Sequence, residues 1–264
     1  MNIKRKIKEL VYDKLKWGCR SFPYFGVKVY FPKGSHLFYR ACAEGVYEQS
    51  VVDILSLLVK KNTFFFDVGA NIGLISIPIL KNNPSCRCIS FEPSPNALPY
   101  LERTLSESSL ADRWQVIGRA VGAESGESDF YLSIPELGAY EGLKSAGRVL
   151  VDRVIKVPVS TIDQEWYNLG KPKVTIIKID VEGAELLVLR GAQDCIKNCR
   201  PYIVLEWNDI NLDSYQFHCK DLLLFVQNIN YRLFSIPYLM PVENETSLRV
   251  QMLKIENFLL APND

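Results

Sequence analysis

The 264-residue sequence predicts an α/β domain in which a parallel sheet carries helices on both faces. Three observations lead to that fold class. An apolar run ends at Asp67 and passes through a glycine turn into a stretch of helical periodicity. A second run ends at Glu92 and is again followed by a helical stretch, and a third begins at Trp114. Such a βαβαβ order runs its strands parallel and lays the connecting helices over the sheet.

Taken in order, the first twenty residues hold seven Lys/Arg against two Asp/Glu, a local charge of +5 that leaves −4 for the remainder. Ile3, Ile7, Leu10, Val11, Leu15 and Trp17 recur near helical spacing, so the segment reads as a basic amphipathic helix. Two readings stand for it: a peripheral contact with a membrane or acidic partner, or a packing helix with a solvated basic face. The weakly alternating stretch 27–31 before Pro32-Lys-Gly34 reads as part of a hairpin, which makes residues 1–43 an N-terminal helical and hairpin extension. A helix is expected to open within 44–48 and run to about residue 61.

The regular alternation follows, with strand 63–68, helix 74–81, strand 86–92, helix 96–106 and strand 114–121. Between 125 and 160, Gly126, Pro135, Gly138, Gly142 and Gly147 break the rhythm around strand-like pieces at 129–133 and 153–159. An inserted loop over the cleft is expected there. Strand 174–180, helix 183–189, strand 202–206, helix 215–228 and strands 231–235 and 252–260 complete the domain, taken as residues 44–264.

Composition bounds the function. With 48% hydrophobic and 23% charged residues, the chain is an ordinary soluble one, long enough for one sizeable core. A formal charge of +1 lacks the basic field that phosphate backbones require, so no nucleic-acid partner is expected. No apolar run approaches the roughly 20 residues of a membrane span. Seven cysteines, an odd number without CxxC spacing or a secretory leader, point to a reducing, cytoplasmic setting. Cys195 and Cys199, four residues apart, read as structural thiols on one helical face.

The turn Asp67-Val-Gly-Ala-Asn-Ile-Gly73 joins a strand end to a helix start through small residues, where open α/β sheets bind ligands. The helix N-terminus offers amide donors to a ligand carboxylate, and Asp67 offers an acceptor to an ammonium group. Glu92 ends the next strand in Phe91-Glu-Pro93, where an acid can accept both hydroxyls of a ribose. A nicotinamide cofactor also needs such an acid, but it normally uses GxGxxG. The spacing Gly69-x-x-x-Gly73 departs from that pattern and favours a cofactor without pyrophosphate.

A second constellation, Lys178-Ile-Asp180-Val-Glu182-Gly183-Ala-Glu185, crowds three carboxylates at another strand end. Glu185 reads as a helix-start residue that complements the dipole. Asp180 ends a run too apolar to lie anywhere but the sheet centre, so its charge is expected to face the cleft.

Together, DVGANIG, FEP and KIDVEGAE with the following LRGA resemble the FkbM family of S-adenosylmethionine-dependent methyltransferases, over about residues 44–260. Ala120-Val-Gly122 and Ser160-Thr-Ile-Asp163 extend the likeness. The resemblance implies a Rossmann-like seven-stranded methyltransferase sheet, mostly parallel, and methyl transfer from S-adenosylmethionine to a hydroxyl of a small-molecule or saccharide acceptor. By the same resemblance, Asp67, Gly69, Asn71 and Gly73 would hold the methionine half of the cofactor, and Glu92 its ribose. Ser94 and Asn96 would flank the adenosine, Ala120 and Val121 would line the adenine, and Glu44 and Tyr47 would close over the methionine end. Asp180, with Glu182 and Gly183, would stand beside the methyl group and the acceptor.

A hydroxyl acceptor needs a proton acceptor near it. His36 and His218 lie outside these motifs and read as surface or structural residues, which leaves Asp180 and Glu182 as the catalytic candidates. A divalent metal on Asp180, Glu182, Glu206 and Asp209 is permitted by the pattern without being required by it. Glu206-Trp207-Asn208 is expected to border the acceptor pocket, unless Trp207 only covers the core edge. A nicotinamide-dependent oxidoreductase and a non-catalytic scaffold of the same fold remain as alternatives.

Overall fold

The computed structural model describes residues 20–263, so the expected basic N-terminal helix lies outside the described residues. Among them, no helix is long and apolar enough to cross a membrane. A hairpin of β1 (Ser21–Tyr24) and β2 (Val27–Tyr30) opens the chain. Its two turn residues, Phe25 (φ 49°) and Gly26 (φ 73°), are both left-handed, as a tight hairpin turn demands.

An unexpected helix, α1 (His36–Glu44), precedes the helix expected to open within 44–48, which is α2 (Gln49–Leu58). Gly45, at φ 87°, closes the first, and Glu48, left-handed at φ 47°, precedes the second. Glu44 therefore ends a helix instead of opening one. The alternation continues with β3 (Phe64–Val68), α3 (Ser76–Asn82), β4 (Arg87–Phe91), α4 (Leu98–Ser106) and β5 (Trp114–Ile117).

The strand expected over 114–121 divides after β5. Arg119 N–H bonds back to Ile117 O at 2.9 Å, and this tight turn sends the chain into a separate sheet. That sheet holds β6 (Ala120–Val121), β7 (Gly126–Leu132) and β8 (Arg153–Ser160) in the order β6-β8-β7. The expected loop insert is thus a β7–β8 hairpin whose connection contains a 3-10 turn, Pro135–Tyr140.

The remaining elements are α5 (Ile162–Asn168), β9 (Val174–Ile179), α6 (Glu185–Arg190), α7 (Gln193–Cys199), β10 (Tyr202–Glu206), α8 (Asp209–Asp213), α9 (Cys219–Asn228), β11 (Tyr231–Ser235), β12 (Pro241–Val242), α10 (Glu245–Met252) and β13 (Asn257–Pro262). The last strand starts later than expected because α10, capped by Asn244, runs through Met252.

The main sheet has eight strands in the order β12-β11-β13-β10-β9-β3-β4-β5 and is mixed. This corrects the seven-stranded, mostly parallel sheet that the family likeness implied. From β10 to β5 neighbours pair in parallel, whereas β13 slots antiparallel between β10 and β11, and the two-residue β12 extends the edge.

Helices cover both faces, as the alternation required. Along β3, Phe66 and Val68 belong to one buried cluster with α5, α6, α7 and α9, while Phe65 belongs to another with α1 to α4. Strands buried on both faces read as continuous apolar runs. The carboxyl ends of β3, β4, β9 and β10 are left facing a common cleft.

Candidate active site

A cleft of about 510 Å³ opens over these strand ends, walled by α1, α2 and the insert. Its floor is the turn after β3. Gly69 (φ 76°) lies so close to the next strand that a Cβ there would stand 1.8 Å from Asp180 O. Gly69 and Ala70 both donate to Phe91 O, at 3.0 and 3.1 Å, which pins the turn to the end of β4.

Of the turn residues singled out in the sequence, Gly69 and Asn71 line the cleft. Gly73 does not. A Cβ at that position would meet Trp114 and Leu101 at 2.8 and 2.9 Å, so its smallness serves core packing. Asp67 is fully buried and turned away from the cleft: Ser76 Oγ donates to Oδ2 at 2.6 Å, and Lys178 Nζ lies 3.4 Å from Oδ1. Asp67 is thus paired with Ser76 and Lys178 inside the sheet, and the direct acceptance of a ligand ammonium expected of it does not fit this placement.

Glu92 lines the cleft and is tightly oriented. It accepts Asn71 N–H on one oxygen and Ser94 N–H on the other, each at 2.8 Å. Each carboxylate oxygen keeps a lone pair for a further donor. Burial pushes the Glu92 carboxyl up to about 7 despite these bonds.

Ser94 and Asn96 sit behind this wall, with their side chains given to the insert. Ser94 Oγ and Asn96 Nδ2 both donate to Glu141, the latter at 2.7 Å, and Ser133 N–H joins them at 3.0 Å. Asn71 Nδ2 also reaches the insert, donating to Gly138 O at 3.1 Å. Ala120 and Val121, both buried, line the neighbouring wall.

On the opposite side, Glu44 and Tyr47 line the cleft, but Glu44 is exposed and engaged by Arg40 at 2.9 Å. The Arg40 guanidinium lies 4.6 Å from the Tyr47 ring centre. The carboxylate that turns inward is the next one along, Glu48, which the sequence reading passed over. Burial and the nearby Asp180 charge raise its carboxyl to about 7. Its backbone is left-handed, at φ 47°, where α2 begins.

The far end of the cleft is acidic. Oxygen atoms of Asp180, Glu182 and Glu206 lie within 4.8 Å of one another. Each already has a partner from the chain itself. Lys178 Nζ is 3.4 Å from Asp180, Arg148 Nη1 is 3.1 Å from Glu182, and Asn211 Nδ2 donates to Glu206 at 3.1 Å. Burial, and Asp180 beside it, raise the Glu182 carboxyl to about 8 and push Glu206 well up. Asp209, grouped with them in the sequence, is exposed and outside the cluster.

Glu185 is buried and accepts the N–H groups of Val181 and Gly183 at 3.0 and 3.2 Å, which is the helix-start role read for it. Trp207 is fully buried in the core and Asn208 caps α8, so of that triplet only Glu206 reaches the cleft. His218 begins α9 on the surface, but His36 lines the cleft beside Tyr140, their ring centres 6.1 Å apart. Arg148, Tyr140 and Glu141 come from the insert, where no local motif marked them.

The sequence profile described as the methyltransferase FkbM domain matches residues 67–233. Methyltransferase sdnD of Sordaria araneosa is 26% identical over an alignment covering 56% of this chain and 67% of its own length. The 2-O-methyltransferase NoeI of Sinorhizobium fredii is also 26% identical, covering 64% of this chain and 73% of its own. The hexuronic acid methyltransferase AglP of Haloferax volcanii is 25% identical, covering 60% of this chain and 62% of its own.

Proposed function

Because this chain belongs to the methyltransferase FkbM family, we propose that it moves the methyl group of S-adenosylmethionine to a hydroxyl oxygen of a small molecule or saccharide. One observation carries this reading: the oriented Glu92 carboxylate and the acidic group Asp180–Glu182–Glu206 open into the same cleft. The names of two relatives, a 2-O-methyltransferase and a hexuronic acid methyltransferase, support a hydroxyl on a saccharide-like acceptor.

The residues fit the donor. Glu92, held by two backbone N–H groups with lone pairs to spare, suits the ribose hydroxyls. Gly69 and Asn71 suit close backbone approach to the methionine half, and Ala120 and Val121 suit the flat adenine face. Tyr47 and Glu48 would close the methionine end. The spacing Gly69-x-x-x-Gly73, in place of GxGxxG, counts against the nicotinamide alternative.

When bound, S-adenosylmethionine supplies a methyl group on a positive sulfonium that is open to in-line displacement. The chain's own contribution is positioning, exclusion of water and proton acceptance. Asp180, standing at the strand end between Lys178 and the acidic group, is assigned the hydroxyl proton, and Glu182 orients the acceptor under the hold of Arg148. The buried, unbridged thiols at Cys86, Cys88, Cys195, Cys199 and Cys219 support a reducing, cytoplasmic setting.

Calorimetric titration with S-adenosylmethionine and with NAD, followed by incubation of methyl-labelled donor with a panel of glycosides, tests the reading. Donor binding and label on an acceptor oxygen are expected. Binding of NAD alone would overturn it, and donor binding with no S-adenosylhomocysteine formed on any acceptor would favour the scaffold alternative.

A further inference from the structure

We infer that Lys178 is a positioning residue, a buried clamp that locks the donor-side turn at Gly69 and the acceptor-side carboxylate of Asp180 into one register. This inference rests on the reading of the cleft as the donor and acceptor site. It concerns a residue to which the family likeness assigned nothing.

Lys178 lies in the middle of the sheet on β9, directly across from Asp67 on β3, and only 4% of it is exposed. A buried ammonium is costly unless fully paired. Lysine has three N–H donors, and three acceptors surround it. Nζ donates to Gly69 O at 3.0 Å and lies 3.4 Å from both Asp67 Oδ1 and Asp180 Oδ2.

The placement of these acceptors matters more than their number. Gly69 O belongs to the turn that forms the cleft floor, and Asp180 belongs to the opposite wall of the same floor. The two backbones already touch at Gly69, where no side chain fits. Lys178 ties them from beneath, so displacing one displaces the other. Asp67 is a counter-ion on the far side, itself held by Ser76.

The charges facing Lys178 come from several elements, while its β10 neighbour across the pairing is the apolar Val204. They are Asp67 from β3, Glu48 from the start of α2, Glu92 from the end of β4 and Asp180 from its own strand. Around Asp180 stand Tyr47, Glu182 and Glu206. If Lys178 only neutralised Asp67, replacing both residues together would leave the cleft unchanged. If it is a clamp, the cleft carboxylates lose their shared cation and their alignment even when Asp67 no longer needs a partner.

The test measures S-adenosylhomocysteine affinity calorimetrically across neutral and mildly alkaline pH, for the full chain, Lys178→Met and the double variant Asp67→Asn/Lys178→Met. The double variant keeps the test valid where the single one, with an uncompensated buried aspartate, fails to fold. At neutral pH both are expected to bind about tenfold or more weakly. Their affinity should recover only at a pH about one unit higher than for the unmodified chain, because the remaining carboxylates hold their protons longer. A double variant whose pH profile parallels the unmodified one would overturn the clamp and leave the donor site standing. An unmodified chain that binds no S-adenosylhomocysteine at any pH would overturn the reading of the cleft, and the clamp with it.

Discussion

The Glu92 carboxylate accepts the N–H of Asn71 at 2.8 Å, so the residue that ends one strand also fixes the turn that leaves its neighbour. Glu92→Ala should therefore cost more than a ribose contact. It frees the Asn71 and Ser94 amides as well, and donor affinity is expected to fall by about 1 to 3 kcal/mol. Titration calorimetry with S-adenosylmethionine checks this, and unchanged affinity removes Glu92 from the donor site.

Asp180→Asn keeps the shape of the strand end and removes its proton acceptor. Turnover is expected to fall by about a hundredfold or more, with a much smaller change in donor affinity. Steady-state kinetics on an accepted substrate, paired with donor binding, makes the comparison. Equal losses in both would assign Asp180 to donor positioning alone.

Stability should depend on pH in an unusual direction. The carboxyls of Glu48, Glu92 and Glu185 are raised to about 7 and that of Glu182 to about 8, chiefly by burial. Groups raised above their ordinary value of 4.5 bind protons more tightly in the folded chain. Their contribution is fully present below that value and is lost as pH rises through 7 to 8. The Tm of the ligand-free protein should fall as pH climbs through neutrality, a trend that a thermal melt series reads directly. A Tm that rises over the same range would mean these carboxyls are not held up in the folded state.

Two glycines separate steric crowding from backbone strain. Gly45 has φ 87° with open space around it, so Gly45→Ala should cost about 1 to 2 kcal/mol for the left-handed backbone alone. Gly69→Ala adds a collision with Asp180 O and should cost about 4 kcal/mol or more. Chemical denaturation of the two variants tests the ranking, and similar losses would mean the turn can move away from β9.

Much of the site was legible because it is local. Strand ends at Asp67, Glu92 and Asp180, each followed by a turn, announce a cleft without knowledge of the fold. Gly45 also carried a usable signal, since a glycine after a helical stretch commonly closes it. What escaped was tertiary. Glu48 matters because two helices meet there, Lys178 because β3 lies across from β9, and Glu141 because the insert folds back onto Ser94. The two-residue β12 has too few residues to show a pattern, and the placement of β13 between β10 and β11 is a long-range pairing that composition does not show. Gly73 illustrates the converse: it looked like a ligand-facing residue and serves Trp114 instead.

The side chains of Asn71, Ser94 and Asn96 are all spent on the insert, and this sets a boundary for anyone wishing to retarget the enzyme. Exchanging only the tip of the β7–β8 hairpin would remove Glu141 and leave Ser94 and Asn96 without their acceptor. The transplantable unit runs from β6 through β8, and it must travel with an acid at position 141 and a serine at position 133 if the recipient's donor loops are to find the wall they were built to grip.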